Sequence, residues 1–287
     1  RIWHIVNEEF QWEMARSVRE AEDYHVLWIH DYRGVNGQGN PDAMAYEQTL
    51  NYLEALIERV GKYDDTSKLP QYFIFLDEHF FVVNKGKMFL KLLEDPLDYE
   101  LSLPEDFEEW EDNIRATQDR LRAAVAESSL LNIAASQFGH DWLKNQIKVH
   151  VNITNPADRS FYSWHVMGIL PIPDNHMRDH RKIAFYDISE EDPYKGMGML
   201  TGMGIGEHYV GANCEDRALM LQGPAALGMK DAARDLLEIQ GFDRHDMPYP
   251  FRQMPKASDY DARIAREHAA KTPDWVGDRG QVLQLHN

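Results

Sequence analysis

One cysteine, Cys214, stands in 287 residues. No disulfide can form within the chain, so its fold must be held by a packed core. A lone thiol fits a reducing compartment and an exported protein alike, and nothing around Cys214 supplies the partners a thiolate nucleophile uses. No run of about 20 apolar residues is present, so no segment reads as a membrane-spanning helix. No secretory leader precedes the body, and a chain opening on Arg1 suggests processing or a fragment. Basic residues are scarce: 30 Lys and Arg stand against 48 Asp and Glu, a formal net charge of −18. That balance opposes nonspecific attraction to nucleic acid or to an anionic membrane. The acidity is uneven, since residues 94–127 hold 12 acidic and 3 basic residues. No internal repeat and no low-complexity tract is found.

An apolar content of 43% suffices for a packed core. The run 25–30 reads as a strand leading into a loop, and 72–76 reads as a second. Between them Tyr46, Leu50, Leu53, Ile57 and Val60 recur at helical spacing behind Asp42, a residue able to cap that helix. Strand, helix, strand outlines a right-handed βαβ unit. Both strands end in polar clusters, His30-Asp31 and Asp77-Glu78-His79, on what would be one edge of a parallel sheet. His30, Asp77 and His79 are therefore candidate pocket residues, although His and carboxylates can also ligate metal. The loop 34–41 is rich in Gly and Asn but fails the spacing of a nucleotide-binding loop. Helices are expected over 87–94, 105–128 and 131–148, with Phe107, Trp110, Ile114, Leu121 and Val125 forming an apolar stripe against an acidic face. Val149, Val151 and Ile153 then alternate, and Trp164 and His165 read as part of a further aromatic strand close upstream of the most informative stretch, with Trp164 a candidate substrate contact.

The most informative stretch is His180 to Asp187, which spells H-x-K followed after four residues by Asp. Ile183-Ala184-Phe185-Tyr186 reads as a short buried strand, so His180 and Lys182 project to one face. Downstream come a glycine turn at 202–206, Glu207-His208-Tyr209, Glu215-Asp216-Arg217 and Gly223-Pro224 before a helix over 225–240. This run resembles the first signature of the phospholipase D superfamily, bacterial cardiolipin synthases in particular, specifically over about 177–240 and diffusely upstream. The resemblance implies an α/β fold, a phospholipase D-like lobe with a mixed, mostly parallel sheet flanked by helices and a helical insert at about 86–146. It implies His180 as the nucleophile that forms a phosphohistidine, Lys182 as the cation on the phosphoryl oxygens, Glu207 as the acid that orients the imidazole, and Asp187 as a structural member of the catalytic group. It implies no metal and no cofactor. Two departures stand out: 189–196 inserts an acidic hairpin tip, and Gly204 occupies a position where the family has Asn beside the phosphate.

Only one such motif is present, whereas the family mechanism uses two histidines from two lobes. Residues 1–242 are read as the N-terminal lobe, and 243–287, rich in Pro, Asp and Arg, as an interlobe connector. The segment 280–286 looks like the opening strand of a second lobe. The implied partners are a phospholipid substrate and a second H-x-K-x4-D lobe, from the same protein, from another chain or from a homodimer. Transient contact with a membrane surface and either cytoplasmic or exported localisation fit this reading. Nucleic acid is disfavoured as a partner by the charge. The alternatives are a site-sharing dimeric nuclease and an inactive binding lobe.

Overall fold

The structure is a computed structural model that describes residues 1–6, 8–29, 32, 34–76, 83–139, 141–144, 146–151, 181–192, 194–209, 216–239 and 251. Among these residues one sheet is formed by β1 (Ile2–Val6), β2 (Tyr24–Ile29), β3 (Gln71–Leu76), β4 (Ile147–Val151), β5 (Ile183–Tyr186), β6 (Met197–Thr201) and β7 (Arg217–Leu221). Its order is β1-β7-β6-β5-β2-β3-β4. The mixed sheet flanked by helices is as expected, but its balance is not. Only β2–β3 and β3–β4 are parallel, while β1–β7, β2–β5, β5–β6 and β6–β7 are antiparallel. The cause is connection length. Parallel neighbours need a crossover, usually through a helix, and β2 and β3 have one in α2 (Ala43–Lys62). The loop 187–196 between β5 and β6 is too short for that and closes a hairpin, the acidic tip read from the sequence.

Alternation along the strands sorts two cores. Tyr24, Val26 and Trp28 of β2, Phe73 and Phe75 of β3, and Ile183 and Phe185 of β5 pack towards α7 (Pro224–Ile239). Leu27, Ile29, Ile74 and Ala184 face α1 (Glu8–Glu20), α2 and α3 (Val83–Glu94). Burying a large apolar side chain stabilises by about 1.5–3 kcal/mol, so β2 and β3, covered on both faces and buried along almost their whole length, anchor the sheet between its two helical layers. Phe251 is fully buried and meets Phe75 and Phe185 edge to ring. Of the expected connector 243–287, it is the one described residue.

The insert thickens the crossover from β3 to β4 into a second helical layer. It contains α4 (Glu108–Glu127), α5 (Ser129–Phe138) and α6 (Asp141–Lys144). The apolar stripe of α4 lies on α2, where Trp110 stacks on Tyr46 with ring centroids 4.5 Å apart. Asn113 Nδ2 donates to Tyr46 Oη at 2.9 Å, and Arg120 grips Glu54 through two hydrogen bonds of 2.6 and 2.9 Å. The third helix expected over 131–148 is corrected: Gly139, at φ 70°, ends α5, and Ile147 and Lys148 belong to β4. A left-handed φ suits glycine and breaks the helical ladder. Among the described residues no helix is long and apolar enough to cross a membrane.

His25 is the polar member of β2's inner face. Its Nε2 lies 3.0 Å from Ser17 Oγ of α1, its Nδ1 lies 3.4 Å from Tyr52 Oη of α2, and it is completely buried. Desolvation disfavours the imidazolium and holds its pKa down at about 3. Because the folded pKa is depressed below the ordinary value near 6.5, His25 favours folding above about pH 6.5, and that contribution is lost as pH falls towards about 3. Unfolding free energies measured across this window for the wild type and His25→Gln should differ in slope by up to ~1.4 kcal/mol per pH unit. Parallel curves would remove His25 from the acid response. At the hairpin, a Cβ on Gly196 would meet the Tyr186 carbonyl and the Asp187–Ile188 backbone. Gly196→Ala should cost about 1–3 kcal/mol in a denaturant titration.

Candidate functional site

Strand directions gather one set of ends. The parallel strands β2, β3 and β4 finish at the same edge. Strand β5 runs against β2, so it begins there, with Ile183 opposite Trp28. Strand β6 runs against β5 and finishes there, with Leu200 opposite Ile183. The pairing extends one step further, because Thr201 N–H donates to the Lys182 carbonyl at 3.0 Å. Lys182 is thus held in extended backbone at the mouth of β5, and its side chain is buried. Beside it the Arg181 guanidinium lies 5.9 Å from the Trp28 ring centroid, a cation–π distance.

Gly204 is buried in the turn after β6, between the buried Met203 and Ile205. Ile205 forms a parallel bridge with Tyr32, just past β2. Tyr32 is anchored in turn to α2, with its hydroxyl 2.9 Å from Thr49 Oγ1. The 3₁₀ turn Glu207–Tyr209 follows. Its Glu207 carboxylate accepts from Asn36 Nδ2 at 2.6 Å and from the Ala43 N–H, in the first turn of α2, at 3.3 Å. The Glu207 N–H donates to both oxygens of Asp42, at 3.1 and 3.0 Å. Asp42 also caps α2 as the sequence predicts, accepting from Ala45 N–H at 3.0 Å. Burial pushes the Asp42 carboxyl above the ordinary aspartate range, the Glu207 charge adds to the rise, and the N–H donors pull it back. Glu207 is therefore oriented from two sides at the helix N-terminus, where a negative charge is favoured.

Asn36 and Asp42 are the site residues that motif reading missed. Asn36 Oδ1 accepts from Gln38 N–H and Asn40 N–H, both at 3.0 Å, which shapes the loop that presents its amide to Glu207. The Asn-Gly turn signal was in the sequence. The partner across 171 residues was not.

Asp187 sits elsewhere. It closes β5 at the opposite edge, five residues from Lys182 and hence about 17 Å along an extended chain. Its carboxylate accepts three backbone N–H groups: Glu22 at 2.7 Å, Asp23 at 2.8 Å and Tyr24 at 2.9 Å. Its own N–H donates to the Tyr24 carbonyl, and its φ is 48°. Grouped with the catalytic candidates by motif, Asp187 is placed where it ties the start of β2 to the end of β5. His180, His30, Asp77, His79 and Trp164 lie outside the described residues, as do Asp31, Glu78 and Cys214. Ile29 and Leu76, which precede two of those clusters, end adjacent strands at the Lys182 edge. Among the described residues no three His, Cys, Asp or Glu side chains gather as a metal site would.

The fold and edge so defined are those of a mixed α/β protein with a polar site at its strand ends. No protein family matches the chain, and no curated protein does. Among solved structures it is similar to NucT from Helicobacter pylori, at a TM-score of 0.40 and 8% identity, over 83% of this chain and 96% of that one. It is also similar to a phosphatidylserine synthase from Haemophilus influenzae Rd KW20, at 0.35 and 10%, over 94% of this chain and 46% of that one. Likeness at this level carries no inference about chemistry, and the functional reading rests on the residues themselves.

Removing the Asp187 carboxylate strands three N–H donors. Asp187→Ala should lower stability by about 2–4 kcal/mol, since bonds to a charged acceptor are the stronger kind and orphaned donors are costly. Denaturant unfolding checks this, and a loss below about 0.5 kcal/mol, the size of an ordinary surface substitution, would contradict the anchoring role.

Proposed function

We propose that this chain is a lobe of a phospholipase D-type phosphodiesterase, which hydrolyses a phospholipid headgroup or transfers a phosphatidyl group through a phosphohistidine. The observation that supports it most is the position of Lys182, a buried lysine at the mouth of β5 where the strand ends converge. A cation there answers the need of a phosphodiester, whose nonbridging oxygens gain charge as the phosphorus is attacked. His180, two residues earlier in the motif, is the nucleophile. A ring nitrogen of its neutral imidazole forms the N–P bond, the alcohol departs with its bonding pair, and an acid must protonate that oxygen. Water or a second alcohol then attacks the phosphohistidine, breaks the N–P bond and releases the imidazole. Glu207 is the acid that fixes the tautomer of His180 and stabilises its cationic form. Asn36 and Asp42 position Glu207.

One histidine cannot serve as both nucleophile and leaving-group acid in the same step. A second H-x-K-x4-D lobe, in a longer form of this protein, in another chain or in a second copy, completes the site in this reading. An activated diester removes the need for that acid, because a nitrophenolate leaves without a proton. With bis(4-nitrophenyl) phosphate the wild type should release nitrophenolate in a burst approaching one equivalent. His180→Ala should release none, and Lys182→Met, of similar volume, should slow the burst by about 100-fold or more. Melting curves control for folding. A chelator should leave the burst unchanged. An undiminished burst from His180→Ala, or activity lost to chelator and restored by one divalent ion, contradicts this reading.

A further inference from the structure

Strand β1 ends the sheet, and among the described residues nothing pairs with its outer side. Arg1 and Gln222 exchange both main-chain hydrogen bonds, at 2.9 and 3.0 Å. By the alternation of antiparallel ladders Trp3 and Ile5 then bond to β7, and the N–H and C=O groups of Ile2 and His4 point away from the sheet. The Val6 N–H is held by Glu9 Oε2 at 3.2 Å, which leaves its carbonyl outward. Exposed edges in natural sheets are blunted by Lys, Pro or a bulge. Ile2-Trp3-His4-Ile5-Val6 has no Lys and no Pro, and its five residues pair with β7 in unbroken register.

Apolar exposure surrounds this strand on both faces. On the α1 face lie Trp3, 39% exposed, and Trp12 of α1, 80% exposed, beside a groove of about 770 Å³ floored partly by Met197 and Met220 and also lined by the charged Arg1, Glu9, Glu13 and Arg16. On the other face lie Ile2, Val6 and Leu219, at 51%, 38% and 37%. A flat membrane or a single docked helix would cover one face and leave the other wet. Only a partner that arrives edge-on, as a strand with its own flanking layers, covers both.

We propose that a second copy of this chain docks on β1, antiparallel strand against strand across a twofold axis. With the axis through His4, each His4 N–H meets the other copy's His4 carbonyl and each Ile2 N–H meets a Val6 carbonyl. Ile2 lies opposite Val6 and Trp3 opposite Ile5, so every cross-strand pair except the central one is apolar. An aromatic side chain offers about 150–250 Å² and an aliphatic one less, so the five exposed groups amount to roughly 400–500 Å² per copy. Doubled across the axis that is about 1,000 Å² at most, the lower bound for a specific interface and the size of a weak, reversible one. A twofold normal to the sheet keeps both α1 helices on one face and turns the two Lys182 edges in opposite directions. This dimer shares no site, so it is distinct from a dimer that completes one, and it stands whether or not the proposed chemistry does.

Sedimentation equilibrium of the full chain from about 1 to about 100 µM, where interfaces of this size assemble, should show a monomer–dimer equilibrium. The Ile2 and His4 amides should exchange with deuterium more slowly as the dimer fills. His4→Pro removes an outward N–H without touching the β7 ladder and is tolerated on an edge strand. It should raise the dissociation constant at least tenfold with little change in melting temperature. Ile2→Lys, which retains the strand, should do the same if the proline variant folds poorly. A wild type that stays monomeric, variants that dimerise like the wild type, or a patch that binds phosphatidylcholine vesicles as a monomer would each overturn the proposal.

Discussion

The antiparallel docking of β5 on β2 is the constraint on which the rest of the molecule depends. A one-residue slip would turn Ile183 and Phe185 out of the α7 core and carry Lys182 away from the strand ends. Hydrophobic alternation resists that slip along the strand, and Asp187 resists it at the terminus by taking three N–H groups from Glu22 to Tyr24. Tyr24 adds a second tie, its hydroxyl donating to the Ile188 carbonyl at 2.7 Å, and Lys230 Nζ reaches the same carbonyl at 3.1 Å from α7. The aspartate that closes the H-x-K-x4-D motif is thus bound to the lysine by mechanics. It pins one end of a four-residue strand whose other end presents the cation.

A second assembly brings Glu207 to the same edge from the opposite direction in sequence. The N-terminus of α2, capped by Asp42, leaves N–H groups that favour negative charge, and Glu207 docks there with Asn36 at its other oxygen. The α4 layer bears on this site indirectly. By stacking on Tyr46 and bridging to Glu54 it covers the outer side of α2 and holds the helix against the sheet. The acidity of residues 94–127, where 12 acidic residues stand against 3 basic ones, therefore lies on a supporting layer.

Much of this was legible in the sequence. Periodicity located β2, β3, α2, the α4 stripe and α7 within a residue or two, and the Gly-Pro start of α7 and the Asp42 cap were read from local chemistry. What escaped was the pairing between distant segments. The hairpin tip at 189–196 signalled the turn from β5 to β6, but nothing local shows that β5 pairs antiparallel with β2, that β7 lies between β6 and β1, or that Asn36 meets Glu207. Strand β1 and helix α1 also went unread: an exposed edge strand carries a weak burial pattern, whereas Phe10, Met14 and Val18 of α1 recur at helical spacing and are buried, a signal that was present in the sequence. The helix expected through 148 failed where Gly139 breaks it and a strand begins at Ile147. The motif itself gave Lys182 a place that the sheet directions then explain.

The central claim is that the edge carrying Lys182 delivers a histidine to phosphorus. The most direct measurement is acid-quench of the chain during its reaction with bis(4-nitrophenyl) phosphate, with the modified residue mapped by peptide mass spectrometry under conditions that preserve N–P bonds. The account predicts a nitrophenyl-phosphoryl adduct on His180. Nitrophenolate release with no adduct on His180, or with the adduct on another residue such as Cys214, would contradict it.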